Sequence, residues 1–140
     1  MADIYTKEKR SEIMRRVKQR RTAPEEVVAE LLHRIRLKFR RNVDELPGKP
    51  DFVLTSRPAV VFVHGCFWHR HRGCRRTTTP ASNAEFWRLK FEKNLRRDRK
   101  NARLLQKQGW RVVTIWECSL RNKKRVLAQL KRALKPARNP

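Results

Sequence analysis

Apolar residues recur at two spacings along this chain, and the two spacings predict alternating helices and strands. Spacing of three and four residues predicts helices over residues 24–36, from about 82 to 108 and over 120–134. Short apolar runs separated by prolines and glycines predict strands over 39–43, 51–54, 59–63 and 110–116, with the second and third forming a hairpin. Helices on both sides of a small mixed β-sheet would give an α/β sandwich.

Two Ser/Thr-x-x-Glu patterns predict where two of these helices begin. Thr22 with Glu25, and Ser82 with Glu85, have the spacing of capping boxes, in which two side chains bond to free amides at the helix start. Gly109 is expected to end the second helix, because glycine readily adopts the left-handed conformation found there.

The length of 140 residues suits one domain with a modest core. We expect that domain over residues 22–134, between a basic N-terminal arm at 1–21 and a basic tail at 135–140. No apolar run is long enough to cross a membrane, and no apolar signal segment precedes the cysteines. We therefore expect a reducing, cytoplasmic environment.

The net charge of +24 changes this picture, because so basic a chain of this size needs a polyanionic partner. Arginine outnumbers lysine, which suits bidentate contacts to phosphate and base edges. The basic helix face from Arg96 to Arg103 is expected to contact phosphate rather than only solvent. Charge alone does not separate DNA from RNA, ribosome or anionic lipid.

The segment His64–Cys74 holds the densest candidate chemistry, with two of the three cysteines and three of the four histidines. Three cysteines with local histidines fit a structural zinc site of the Cys3His type, with Cys66 and Cys74 from this segment and Cys118 from farther along the chain. Spacing leaves the choice between His69 and His71 open. The alternative is that these residues are buried thiols and surface histidines.

Several separated segments share an uncommon set of residues in a fixed order: LPGKPDF at 46–52, HGCFWHRH at 64–71, EFW at 85–87, KN and RD within 93–98, and GWRV with WEC at 109–118. Together these segments resemble, in the same order, those of one family, the very short patch repair endonucleases, which nick DNA at T:G mismatches left by deaminated 5-methylcytosine. The resemblance extends over roughly residues 7–134. The resemblance implies a restriction-endonuclease-like fold, a structural zinc ion and a catalytic magnesium ion.

The resemblance also implies roles for individual residues. Asp51 resembles the magnesium-binding carboxylate, with the backbone carbonyl of Val63 as a second ligand at a position where the family commonly has threonine. His69 resembles the catalytic histidine, and His64 and Glu25 resemble its neighbours around the metal-bound water. The implied zinc ligands are Cys66, His71, Cys74 and Cys118, with one residue more than usual between His71 and Cys74.

Aromatic and basic residues are the implied DNA contacts. The resemblance implies that three rings insert beside the mispair: Phe67, Trp68 and Trp87. The basic residues expected to contact DNA are Arg15, Arg96 and Arg97. Simpler interpretations are core packing for Trp87, helix capping for Glu25 and strand termination for Asp51, and Asp98 is expected to pair with a nearby arginine.

The leading hypothesis is therefore a magnesium-dependent endonuclease that nicks duplex DNA on the 5′ side of the mismatched thymine. We expect a monomer, with mismatch-repair proteins as candidate partners. One alternative is a zinc-stabilised, non-catalytic nucleic-acid-binding protein. Another is a nuclease of the same fold with a different DNA target.

Overall fold

The computed structural model describes residues 23–75 and 77–135. Its helices are α1 (Ala23–Arg34), α2 (Ala84–Lys107) and α3 (Lys123–Ala133), and its strands are β1 (Phe39–Arg41), β2 (Phe52–Leu54), β3 (Ala59–His64) and β4 (Arg111–Trp116). A short 3-10 helix, Glu117–Arg121, follows β4. Within this part of the chain, no helix is both long and apolar enough to span a membrane. The N-terminal arm with Arg15, and the capping residue Thr22, lie outside the described residues.

The four strands form one mixed sheet in the order β1-β2-β3-β4. The first three strands are antiparallel, and β3 pairs in parallel with β4 from Ala59 opposite Arg111 to His64 opposite Trp116. This confirms the predicted α/β class with a small mixed sheet. Because parallel strands end at the same edge of a sheet, the residues that follow His64 and Trp116 are brought together there.

The central strands are buried on both faces. On one face, Phe52, Leu54 and Val61 pack against α1 and α3 in the larger core cluster. On the other face, Val53 and Val60 pack with Leu105 of α2 in the smaller one. The sheet is therefore enclosed between helices, as the apolar runs of β2 and β3 predict.

The second capping-box prediction was wrong. Helix α2 begins after Asn83, which has a left-handed backbone (φ 56, ψ 41) and makes no side-chain cap hydrogen bond. An N-cap normally needs extended backbone angles for its side chain to reach the helix amides, so this geometry prevents capping. Glu85 instead accepts a hydrogen bond from Arg88 Nε at 3.1 Å. Gly109, with φ of 92, follows the C-terminus of α2 as predicted.

Helix α3 begins later than the apolar spacing predicts. Asn122 caps it by accepting a hydrogen bond from the Arg125 amide at 3.2 Å, and the preceding residues form the 3-10 turn. That turn carries Cys118 away from β4 at the edge where β3 also ends.

Candidate active site and metal centre

Four predicted metal ligands converge where β3 and β4 end. The potential ligand atoms of Cys66, His71, Cys74 and Cys118 all lie within 4.8 Å of one another. Cys118 Sγ and His71 Nδ1 are 3.4 Å apart, and ligands of a tetrahedral zinc ion are expected about 3.3–3.8 Å apart from its bond lengths. The four residues therefore fit a structural zinc ion, and the structure groups His71, not His69, with the three thiols.

The loop that carries three of these residues is held by its own hydrogen bonds. The His71 amide donates to the Cys66 carbonyl at 3.0 Å, and Thr77 Oγ1 donates to the His71 carbonyl at 2.6 Å. Cys66 is fully buried, and burial raises the pKa of its thiol to about 11. A bound metal would replace that proton, because a coordinating thiol is deprotonated.

Trp116, which the sequence analysis did not single out, connects this cluster to a second one. Its ring stacks on His71 with centroids 4.2 Å apart and meets His64 edge-on at 5.3 Å. The ligand cluster and the predicted catalytic histidines therefore share one aromatic support.

His64, His69 and Asp98 form the second cluster. The two imidazoles are stacked with centroids 3.8 Å apart and planes 6° from parallel, and His69 Nδ1 lies 2.7 Å from Asp98 Oδ2. Although the three side chains are close enough to suggest a metal site, two parallel face-to-face rings cannot both aim an in-plane lone pair at one ion. This arrangement suits proton transfer better than metal binding.

Asp98 bonds to His69, a partner that was not predicted, and the positive charge of Arg97 also acts on it, as expected of a nearby arginine. Burial acts to raise the pKa of Asp98, but the hydrogen bond from His69 and the nearby positive charges outweigh it and hold the pKa below its usual range. Burial and the adjacent His69 ring lower the pKa of His64 to about 4, so His64 is neutral at physiological pH.

A periodic signal in α2 could have identified Asp98. Trp87, Phe91, Asn94 and Asp98 follow one another at four, three and four residues, which places them on one helix face. Asn94 Nδ2 donates to the Trp68 carbonyl at 3.4 Å, and the other three also contact the loop after β3. This face of α2 therefore supports the whole candidate site.

Asp51 lies beside β3, immediately before β2. Its Oδ2 accepts a hydrogen bond from the Val63 amide at 2.6 Å, which places the carboxylate next to the strand that ends in His64. Burial, with the negative charge of Glu25, raises the pKa of Asp51 to about 7. Two neighbouring, partly buried carboxyl groups repel each other when both are ionised, and a hard divalent cation bound between them would relieve that repulsion.

Arg41 is a further residue that the sequence analysis missed. It lies opposite Phe52 in the β1–β2 register, and its Nη2 is 4.0 Å from Glu25 Oε2, with both side chains largely buried at 13% and 14% exposure. Its positive charge acts to lower the pKa of Asp51. Arg41 therefore balances the carboxylates on the side of the site nearest α1.

The aromatic residues form a partly exposed cluster next to His69. Phe67 meets Trp68 edge-on at 5.0 Å and Trp87 at 6.1 Å, while Phe91 is the buried member beneath them. Lys90 Nζ lies 5.5 Å above the Trp68 ring and 5.7 Å above Trp87. Trp87 is thus neither fully in the core nor isolated on the surface.

The basic face of α2 extends from this cluster. Arg96 and Arg97 are exposed, and Arg97 donates to Asn94 at 3.3 Å. A shallow concave surface is lined by one apolar residue, Leu104, and five basic ones, Arg96, Arg99, Lys100, Arg103 and Lys107. This surface has the charge and the shape to contact phosphates.

Comparison with known proteins identifies the family to which this chain belongs. A family model described as DNA mismatch endonuclease Vsr matches residues 2–76. The type II nicking enzyme V.XorIIP of Xanthomonas oryzae pv. oryzae is 42% identical over 98% of this chain and 100% of its own length. The DNA mismatch endonuclease Vsr of Escherichia coli is 45% identical over 90% of this chain and 80% of its own length. The type II nicking enzyme V.NmeAIP of Neisseria meningitidis is 43% identical over 88% of this chain and 87% of its own length. The chain therefore belongs to the DNA mismatch endonuclease Vsr family and is a DNA endonuclease.

Proposed function

We propose that this endonuclease nicks duplex DNA on the 5′ side of the thymine in T:G mismatches that arise from deaminated 5-methylcytosine, by magnesium-dependent hydrolysis. The observation that carries the proposal is the grouping of Asp51, the His69–Asp98 pair and the aromatic cluster at one edge of the sheet. A carboxylate for a metal, a base for water and rings for a mispair are the three components that such a reaction needs.

His69 is the proposed general base. Asp98 accepts the hydrogen bond from Nδ1, which leaves Nε2 to take a proton from water. The water oxygen bonds to phosphorus as the bond from phosphorus to the 3′ oxygen breaks. That oxygen takes up a proton from solvent water and His69 returns its proton to solvent, so the products are a 3′ hydroxyl and a 5′ phosphate. Neutral His64, stacked on His69, restricts the ring to one orientation.

Asp51 and the backbone carbonyl of Val63 are the proposed magnesium ligands, with Glu25 close to Asp51. Bound there, magnesium would neutralise charge at the scissile phosphate and orient the attacking water.

The proposed zinc ligands are Cys66, His71, Cys74 and Cys118. Four protein ligands leave no position on the ion open for catalysis, so the proposed zinc ion has a structural role.

Phe67, Trp68 and Trp87 are proposed to insert beside the mispair, because a mispaired base costs less to unstack than a matched one. Their position beside His69 is what the proposal requires, since the cut lies next to the mispaired thymine. Arg96 and Arg97 are proposed to hold the phosphate backbone along α2.

The decisive experiment compares nicking of duplexes that differ only in T:G or C:G at one position, with magnesium or with a chelator. Asp51→Asn and His69→Gln should each lose at least about 100-fold in rate on T:G, while His33→Gln, an exposed histidine on α1, serves as the matched control. Equal nicking of both duplexes would indicate the same chemistry with another target. Unchanged nicking by both site variants would overturn the catalytic assignment.

A further inference from the structure

Arg70 lies between the proposed base His69 and the proposed ligand His71, and its backbone is in the left-handed region (φ 53). A residue with a Cβ seldom adopts this conformation unless other contacts compensate for it. The conformation turns the chain between the two histidines and directs the Arg70 side chain toward the aromatic cluster. The contacts of the Arg70 side chain are therefore expected to compensate for this backbone conformation.

The guanidinium of Arg70 connects two separate parts of the loop that follows β3. Nη1 donates to the Thr78 carbonyl at 2.8 Å, and Nη2 donates to Thr79 Oγ1 at 2.9 Å. Nη1 also lies 3.4 Å from the carbonyl of Phe67, one of the rings proposed to insert. Arg70 thus holds the Phe67 backbone against the 78–79 segment.

The same guanidinium stacks on the rings beneath the exposed aromatic residues. Its central carbon is 3.9 Å from the Phe91 ring centroid and 5.7 Å from that of Phe67. Phe91 in turn meets Phe67 edge-on at 5.3 Å and stacks with Trp87 at 5.6 Å. The guanidinium of Arg70 therefore restrains Phe67 in two ways, by hydrogen bonds in the guanidinium plane and by stacking against its face.

We propose that Arg70 is a positioning residue that determines mismatch specificity, by holding Phe67 and Trp68 rigidly in the orientation that inserts beside a mispair. This inference rests on the proposed function. Rings held in one orientation clash with a matched duplex, where unstacking of the bases is costly, and insert beside a mispair, where unstacking costs less. Rings free to change orientation would avoid that clash, so the protein would bind matched and mismatched duplexes with similar affinity.

A lysine could not replace Arg70 in this role. Only a planar guanidinium presents a rigid fork of donors and a flat face for stacking, whereas an ammonium group retains the charge without either. The comparison between arginine and lysine therefore separates positioning from simple attraction to phosphate.

The test uses the full-length, zinc-loaded protein with Arg70→Lys and Arg70→Met. Arg72→Met is the matched control, because Arg72 is exposed in the same loop and its loss changes the charge equally. The measurements are single-turnover nicking of T:G and C:G duplexes, fluorescence of a 2-aminopurine beside the mispaired thymine, and zinc content. Both Arg70 variants should lower the T:G to C:G rate ratio at least tenfold and lose the fluorescence rise on binding T:G. Arg72→Met should keep both.

A wild-type ratio and fluorescence rise in Arg70→Lys or Arg70→Met would overturn the proposal, as would an equal loss in Arg72→Met. If the Arg70 variants fail to fold or to retain zinc, Thr79→Val provides the measurement instead, because Thr79 is exposed and its change removes one guanidinium contact. A ratio lowered about threefold supports the proposal, and an unchanged ratio opposes it. A wild-type enzyme without T:G preference would instead overturn the proposed function itself.

Discussion

At the scale of single residues, the hydrogen bond between His69 and Asp98 governs which imidazole nitrogen can accept a proton. Asp98 as an ionised acceptor keeps the proton on Nδ1, and an amide at this position can donate as well as accept. We predict that Asp98→Asn lowers kcat on T:G duplex at least about 100-fold, the scale of general-base catalysis, with KM nearly unchanged. Glu92→Gln on the same helix is the control. A loss of activity that appears only as a raised KM, with kcat unchanged, would contradict the assignment.

A second prediction at this scale concerns the raised pKa of Asp51. Between the ordinary pKa of 3.8 and its folded value of about 7, the folded metal-free protein retains a proton that the unfolded chain has released. The contribution of Asp51 to the free energy of unfolding therefore falls as pH rises through this window and is constant above it. The side-chain amide of an Asp51→Asn variant does not titrate, and its oxygen can still accept the bond from the Val63 amide.

We therefore expect Asp51→Asn to gain stability relative to wild type by roughly 2–3 kcal/mol between pH 5 and pH 8, at about 1.4 kcal/mol per pKa unit. Chemical denaturation at the two pH values measures this difference, with exposed Asp44→Asn as the control. Magnesium at pH 8 should narrow the difference by stabilising only the carboxylate. A difference that does not vary with pH would show that Asp51 is already ionised in the metal-free fold.

At the scale of secondary-structure elements, the four proposed zinc ligands connect the ends of β3 and β4. Because the two strands are parallel, no short turn joins these ends, and a metal ion held by the four ligands would tie the loop after β3 to the turn after β4. Cys118→Ser should reduce bound zinc from about one per chain to near zero and lower the free energy of unfolding by about 3 kcal/mol or more. Metal analysis and thermal melting measure these effects, and His33→Gln should leave both unchanged. Stoichiometric zinc in the Cys118 variant would rule out this ligand set.

The elements also explain how far sequence alone could reach. The strands are predictable because apolar runs such as Val60–Val63 reflect burial on both faces, which is a local property. The grouping of His71 with the cysteines follows from similar segments in a known family, whereas spacing left His69 and His71 equivalent. The spacing along α2 places Asp98 on the same helix face as Trp87 and Phe91, but the partner of Asp98 is 29 positions away, and no local pattern records how α2 docks on the loop that carries His69. Asn83, and not the predicted Ser82, precedes the first residue of α2, and its left-handed backbone is likewise set by the path of the loop before the helix, which the local sequence does not record.

At the scale of the whole molecule, the charge of +24 is expected to govern how this endonuclease holds duplex DNA, before the proposed recognition of a mispair. Each phosphate contact releases counterions, so the logarithm of the affinity falls with the logarithm of salt concentration by roughly 0.9 per contact. We predict that Arg96→Ala and Arg99→Ala, on the basic surface of α2, each reduce this slope by about one and weaken binding to T:G and C:G duplexes equally. Exposed Lys124→Ala at the start of α3 is the charge-matched control.

The expectation that affinity falls equally for T:G and C:G duplexes is essential, because it separates electrostatic attraction to DNA from discrimination between the two duplexes. Phosphates are the same in both duplexes, so residues that contact only phosphate change both affinities together, whereas the rings beside His69 should change their ratio. Fluorescence anisotropy with each duplex over a range of about 50 to 300 mM salt gives both the slope of log affinity against log salt and the ratio of the T:G and C:G affinities. If Arg96→Ala changed the ratio and left the slope intact, α2 would contribute to sensing the mispair, and the assignment of discrimination to the aromatic cluster would have to be extended along the helix.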